Sequence, residues 1–169
     1  MIIKRVQATD APQLRDFAEY TFRVAYEDQN NAEDFKAYCD KYFSLQYIEE
    51  EIAHPQSAFW LAFLDDTLVA YIKLKFDQHS PELNSSKTVK LERIYVAPAF
   101  QGQRIGEKML LFAEDQARFA GADWIWLSVW KANPPAIRFY ERCGFTIFGT
   151  EIFVVGDDAQ EDWMMGKEL

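Results

Sequence analysis

A chain of 169 residues is the size of one domain and buries roughly 70% of the surface its unfolded form exposes, so a core needs neither disulfides nor a structural metal. Its 49% apolar and 16% aromatic content excludes a disordered or collagen-like polymer, and a net charge of -9 (18 Lys and Arg against 27 Asp and Glu) disfavours binding to a nucleic-acid phosphate backbone. Cys39 and Cys143 form no C-x-x-C pair, and with His54 and His79 as the two histidines a metal cluster lacks ligands; no apolar run reaches the ~20 residues of a membrane span, and the start lacks the apolar core of a secretory signal, so a cytoplasmic protein with reduced thiols is expected.

Ile2 to Gln7 reads as a short strand. Asp10 is placed to cap a helix with Pro12 in its first turn, and Leu14, Phe17, Ala18, Thr21, Phe22 and Ala25 recur at helical spacing. Phe35, Tyr38, Cys39, Tyr42 and Phe43 repeat that pattern, and Leu45, Ile48 and Ile52 mark a further short helix whose Glu49-Glu50-Glu51 run reads as a solvated face. Phe59 to Leu64 and Leu68 to Leu74 flank Asp65-Asp66 as a β-hairpin. A polar loop from Asp77 to Lys87 leads to a strand from Val89 to Val96, ended by Pro98. Ile105, Met109, Phe112, Ala113 and Ala120 mark a helix closed by Gly121. Trp124 to Val129 is a short buried strand, Asn133 caps a helix stopped by Gly144, and Phe145 to Val155 and Asp162 to Lys167 are two strands around an acidic turn. This order predicts a mixed α+β fold over residues 1–169, one mostly antiparallel sheet with helices on both faces.

Two segments carry chemistry. Gln101-Gly102-Gln103-Arg104-Ile105-Gly106 joins a strand to a helix start, where about four backbone N–H groups lack partners and the macrodipole adds roughly half a positive charge, so the turn suits a pyrophosphate. The plainer reading is a strand-to-helix turn whose glycines allow tight geometry. The spacing is neither G-x-G-x-x-G nor a P-loop, which weakens NAD and ATP. The second segment runs from Trp126 to Phe145.

Together the two segments resemble the GNAT superfamily of N-acetyltransferases. Gln101 and Gly106 match its Q/R-x-x-G-x-G/A turn, with Arg104 where the first glycine is usual, and Asn133, Ala136, Tyr140, Gly144 and Phe145 match its later N-x-x-A-x-x-x-Y-x-x-x-G-F pattern. Leu91 to Val96, Trp126 to Trp130 and the ending around Gly156-Asp157-Asp158 are similar to the PaiA-type spermidine/spermine acetyltransferases.

The resemblance implies a sheet splayed between its fourth and fifth strands, with the pantetheine arm of acetyl-CoA lying in the gap. Main-chain groups of Ile94, Tyr95 and Val96 would pair with that arm, the turn Gln101, Gly102, Gln103, Arg104, Ile105 and Gly106 would hold the pyrophosphate, Asn133 would touch the arm and Arg142 the nucleotide phosphate. Tyr140 takes the family role of general acid toward the departing thiolate. An alkylammonium must also lose a proton, at about 4 kcal/mol near pH 7. Glu92 is the candidate base, alternation placing it on one face with Ile94 and Val96; the alternative is an ion pair with a lysine such as Lys90. The acceptor implied is a small amine, foremost spermidine or spermine, with a protein or antibiotic amine, or a CoA-binding regulatory module without catalysis, as alternatives. No metal, nucleic-acid or membrane partner is expected, and a homodimer is allowed. Tyr38, Tyr42, Glu27 and Asp28 are available for acceptor selection, and Trp60 and Trp130 line either the core or the pocket.

Overall fold

The computed structural model describes residues 1–80, 82–83, 85–155 and 158–169. The elements run β1 (Ile2–Arg5), α1 (Ala11–Tyr26), α2 (Ala32–Tyr42), α3 (Leu45–Ala53), β2 (Ser57–Leu64), β3 (Thr67–Phe76), β4 (Thr88–Val96), α4 (Ile105–Phe119), β5 (Trp124–Trp130), α5 (Pro134–Arg142), β6 (Thr146–Val155) and β7 (Asp158–Glu168). The seven strands form one sheet in the order β1-β2-β3-β4-β5-β7-β6, antiparallel except for β4 beside β5. The mixed, mostly antiparallel sheet inferred from the sequence is therefore present.

Local chemistry explains most boundaries. Asp65 and Asp66 both take positive φ, 45° and 63°, so the β2–β3 hairpin closes through a two-residue turn whose twist matches the strands. The Asn133 side chain accepts from the Ala136 amide at 3.2 Å and starts α5, with Pro134 in the first turn. Asp10 acts one turn earlier than expected: its carboxylate receives the Gln7 amide at 2.8 Å, not an amide of α1. The acidic turn expected between Val155 and Asp162 is shorter than that, since β7 already pairs with β6 from Asp158; Gly156 and Asp157 lie outside the described residues.

Each sheet face buries its own core. One carries Ile72, Leu74, Leu91, Ile125, Leu127 and Met165 against Met109, Leu110 and Ala113 of α4, with Ile137, Phe139 and Tyr140 of α5 packed alongside. The other carries Phe59, Leu61 and Tyr71 against Leu14 and Ala18 of α1, Phe35 of α2 and Ile48 of α3.

The sheet opens at its centre. Pairing between β4 and β5 stops after three residues, at Lys90↔Trp126, although β4 continues to Val96 and β5 to Trp130. Two strands that share a parallel start and then part leave a wedge between them.

Candidate active site

The wedge holds a cavity of about 690 Å³, lined from β4 by Glu92, Ile94, Tyr95 and Val96, from the turn by Gln101, and from β5 and α5 by Ser128, Trp130, Asn133 and Tyr140. Seven of the residues singled out from the sequence thus meet in one place: Glu92, Ile94, Tyr95, Val96, Gln101, Asn133 and Tyr140. Trp60 is core and Trp130 faces the cavity.

The turn before α4 is exposed, and its backbone is bent for an anion. Gly102 has φ +76° and Arg104 φ +58°, so the arginine takes the left-handed conformation that a glycine adopts without Cβ cost. The first amide of α4 with a backbone acceptor is Lys108, bonded to the Arg104 carbonyl at 3.1 Å. Among the described residues, the amides from Gly102 to Glu107 have no such acceptor and no side-chain cap. Gly106 brings the two sequence motifs together: a Cβ there would lie 3.5 Å from the Phe139 ring and 3.8 Å from Val96. The Gln101 side chain donates to the Val96 carbonyl at 3.1 Å and fixes the turn against the end of β4. Arg142 is exposed in the last turn of α5 and is not among the cavity residues.

Tyr140 sits between the rings of Phe139 (centroids 5.2 Å apart) and Phe145 (5.9 Å), with its edge on the cavity. Burial, with a smaller push from Tyr26, raises its pKa well above the usual phenol value, so the hydroxyl keeps its proton at neutral pH.

Glu92 departs from the alternation read in the sequence. On β3, Lys73 pairs with Arg93 and the next residue, Leu74, with Leu91, so Glu92 is the extra residue of a β-bulge. Ile94 and Val96 pack on the α4 face, whereas Glu92 turns to the opposite one, where Lys73 meets its Oε1 at 2.6 Å and Lys75 its Oε2 at 2.9 Å. Lys73 is wholly buried and also meets Glu51, so the third residue of the acidic run serves the interior while Glu49 and Glu50 remain exposed. Burial pushes the Glu92 carboxyl upward, but the two lysines outweigh it and its pKa lies below the ordinary value; burial draws Lys73 down to about 7. The ion pair foreseen for Glu92 thus forms with Lys73 and Lys75; Lys90 instead reaches Glu151, at 3.2 Å.

The sequence reading missed Asp162. It begins the part of β7 that pairs with β5, opposite Trp130, is 8% exposed and lines the cavity, and among the described residues its Oδ1 has no hydrogen-bond partner. Burial first, then Glu151, raises its pKa from 3.8 to about 6 against the pull of Lys90. The sole sequence signal was an acid two residues before Met164 on the same strand face.

The far side of the cavity is bridged. The Gln160 side chain donates to Asn30 Oδ1 at 3.1 Å, and the Tyr38 ring meets Phe153 edge-on at 6.0 Å, so α1–α2 and β6–β7 touch across the opening.

The family model for the acetyltransferase (GNAT) family matches residues 15–145. The chain belongs to this family. An uncharacterized N-acetyltransferase of Lactobacillus delbrueckii subsp. lactis is 32% identical over 167 residues, 99% of this chain and 96% of that one. A spermidine N(1)-acetyltransferase of Thermoplasma acidophilum is 26% identical over 153 residues, 88% of this acetyltransferase and 90% of that one. Among solved structures, the PaiA N-acetyltransferase from Thermoplasma acidophilum in complex with coenzyme A superposes with a TM-score of 0.78 over the whole of both chains at 24% identity, a likeness of fold. The protein is a GNAT N-acetyltransferase, and the acyl donor of this family is acetyl-CoA. The residues present fit that donor: a row of unpaired amides suits its pyrophosphate, and an unpaired strand edge from Leu91 to Val96 suits its amide-bearing arm. Among the described residues no cluster of three metal-ligating side chains occurs, and no helix is long and apolar enough to cross a membrane.

Proposed function

We propose that residues 1–169 work as one N-acetyltransferase domain that moves the acetyl group of acetyl-CoA to a primary amine of a small molecule, a polyamine such as spermidine or spermine foremost, by direct attack. The observation that carries this reading is the cavity that the β4–β5 wedge and the Tyr140 phenol share, with Gln101 on its lining and the amide-rich turn following directly after it. In it, amides of Gly102 to Gly106 hold the pyrophosphate, the strand edge at Ile94, Tyr95 and Val96 and the Asn133 side chain align the pantetheine arm, and Arg142 meets the nucleotide phosphate. Acetyl-CoA supplies the thioester, whose carbon accepts the amine lone pair. Tyr140 gives its proton to the sulfur as the C–S bond breaks, and because burial keeps that proton on the phenol, it moves only as thiolate charge develops.

A small acceptor is favoured over a polypeptide because the Asn30–Gln160 hydrogen bond and the Tyr38–Phe153 contact lie across the route an extended chain would need. The polyamine preference draws on the Thermoplasma spermidine N(1)-acetyltransferase. The chain's net charge adds little to it, since the cavity lining holds three cations (Lys75, Lys90, Arg93) against three anions (Glu92, Glu151, Asp162). We place the enzyme in the cytoplasm, a reading in keeping with its two unbonded thiols, Cys39 and Cys143. Glu92 is the base suggested by the sequence; to take a proton it must release Lys73 or Lys75.

The test is thiol release from acetyl-CoA with spermidine, tyramine, 2-aminoethylphosphonate and a lysine peptide offered in turn. Turnover greatest with spermidine supports the reading. Turnover greatest with the peptide overturns the small-molecule claim, and CoA binding without release for any amine points to a binding module.

A further inference from the structure

The cavity's charges do not cancel locally. Lys75 is tied to Glu92 and Lys90 to Glu151, while Arg93 lies over the Phe43 ring at 5.1 Å. What is left is the Asp162 carboxylate. Three elements press on it: β6 brings Glu151, its partner across the strand pair; β4 brings Lys90, whose ammonium is spent on Glu151; α1 brings the Tyr26 phenol. Among the described residues, no Lys or Arg nitrogen lies within ion-pair distance of Asp162, and its buried Oδ1 receives no hydrogen bond. An uncompensated carboxylate in such a place costs stability, and a fold keeps one where an incoming cation completes the pair.

Its position suits that cation. Asp162 pairs with Trp130, four residues beyond the last contact of β5 with β4, so it lies level with the open part of the wedge, one strand beyond β5, and lines the same cavity as Ile94 and Tyr95. It shares a face of β7 with Met164, which packs on Trp126, whereas Trp163 and Met165 pack on the α4–α5 side that carries Tyr140. The Tyr26, Tyr38 and Phe153 rings enclose the same chamber and tolerate an ammonium against their faces.

We propose that Asp162 is the carboxylate that holds the acceptor's primary ammonium and takes its proton. This rests on the amine-acetylation reading above. The ammonium gives one proton to the Asp162 carboxylate, and the freed lone pair forms the N–C bond to the thioester carbonyl carbon. The C–S bond then breaks and the sulfur takes the Tyr140 proton; the remaining surplus proton on nitrogen passes to the phenolate as the amide forms, and Asp162 releases its own to solvent. The sum is ammonium plus acetyl-CoA giving amide, CoA thiol and one proton. Its raised pKa, about 6, makes Asp162 a better proton acceptor than Glu92, whose oxygens both face lysines.

Two measurements on the full chain test this, with Asp162→Asn compared with Glu92→Gln. In the first, spermidine is titrated by calorimetry into the CoA complex at pH 7.5; Asp162→Asn is expected to weaken its binding at least tenfold while CoA affinity stays within twofold, and equal spermidine binding overturns the proposal. In the second, kcat/KM for spermidine is followed from pH 5 to 9. The wild type is expected to fall about tenfold per pH unit below about 6, and Asp162→Asn to lose at least 100-fold at pH 7.5 together with that acidic limb. An Asp162→Asn profile that keeps the limb, or a limb that disappears in Glu92→Gln instead, overturns the proton-taking role. Silence of the wild type with every amine sinks the acetylation reading, and the binding comparison then decides Asp162 alone.

Discussion

Replacing Asp162 with asparagine is expected to stabilise the protein above pH 6. The carboxyl is 8% exposed and its pKa is raised from 3.8 to about 6, which corresponds to about 3 kcal/mol of penalty once it is ionised in the fold. Below the ordinary carboxylate pKa the group is protonated in both folded and unfolded chains, and the penalty is absent. As pH climbs between 3.8 and about 6 the unfolded chain ionises first, so the native state loses stability through that window and the deficit is complete above it. An asparagine of the same shape carries no charge, though its amide in that slot, with Glu151 beside it as acceptor, returns about 1 kcal/mol of desolvation. The net gain at pH 8 is then about 2 kcal/mol, or roughly 4–8 °C in Tm for a chain of this size. Urea unfolding followed by tryptophan fluorescence at pH 8 and pH 4.5 measures it. A variant less stable than the wild type at pH 8, or an advantage of the same size at both pH values, would show that the buried Asp162 carboxylate carries no such penalty.

Tyr140→Phe should lower kcat by about 10²–10⁴ with CoA affinity unchanged, since the phenol acts on the leaving sulfur and the ring contacts with Phe139 and Phe145 survive; unaltered kcat in a thiol-release assay would remove its acid role. Arg104→Gly relieves a left-handed φ of +58° and should raise stability by about 1 kcal/mol in thermal melts, while KM for acetyl-CoA rises through loss of a cation beside the turn. A lower Tm would show that the arginine is held there by contacts worth more than its strain. Lys73→Met leaves Glu51 and Glu92 facing each other without their shared buried cation and should destabilise by about 3–5 kcal/mol, read from chemical denaturation at pH 6, below the Lys73 pKa of about 7; an unchanged midpoint would contradict the ion cluster.

Much of this architecture was legible because periodicity reports burial one element at a time. The helical spacing of Leu14, Ala18 and Thr21 marked α1, the apolar runs on either side of Asp65-Asp66 marked β2 and β3, and the Asn133-Pro134 start and Gly144 stop marked α5. The turn at 101–106 was legible for a related reason: its residues act through backbone geometry that adjacent letters encode, even with Arg104 in a glycine's place. What escaped depends on partners distant in sequence. The bulge that swings Glu92 away from Ile94 arises from register against β3, and strict alternation cannot express it. Lys73 read as one polar letter in an apolar strand, and its meaning comes from Glu51, 22 residues earlier, and Glu92, 19 later. Asp162 looks like any acid at a strand start until β5, β6 and α1 close around it.

The amides opening α4 are proposed to grip the coenzyme's pyrophosphate and so direct its sulfur to the Tyr140 hydroxyl. In a crystal structure of the complex with CoA, phosphate oxygens are expected within hydrogen-bond distance of the amides between Gly102 and Gly106, with the sulfur beside the phenol. A turn left empty while CoA binds elsewhere, or a phenol directed into the packing around Phe145, would contradict it.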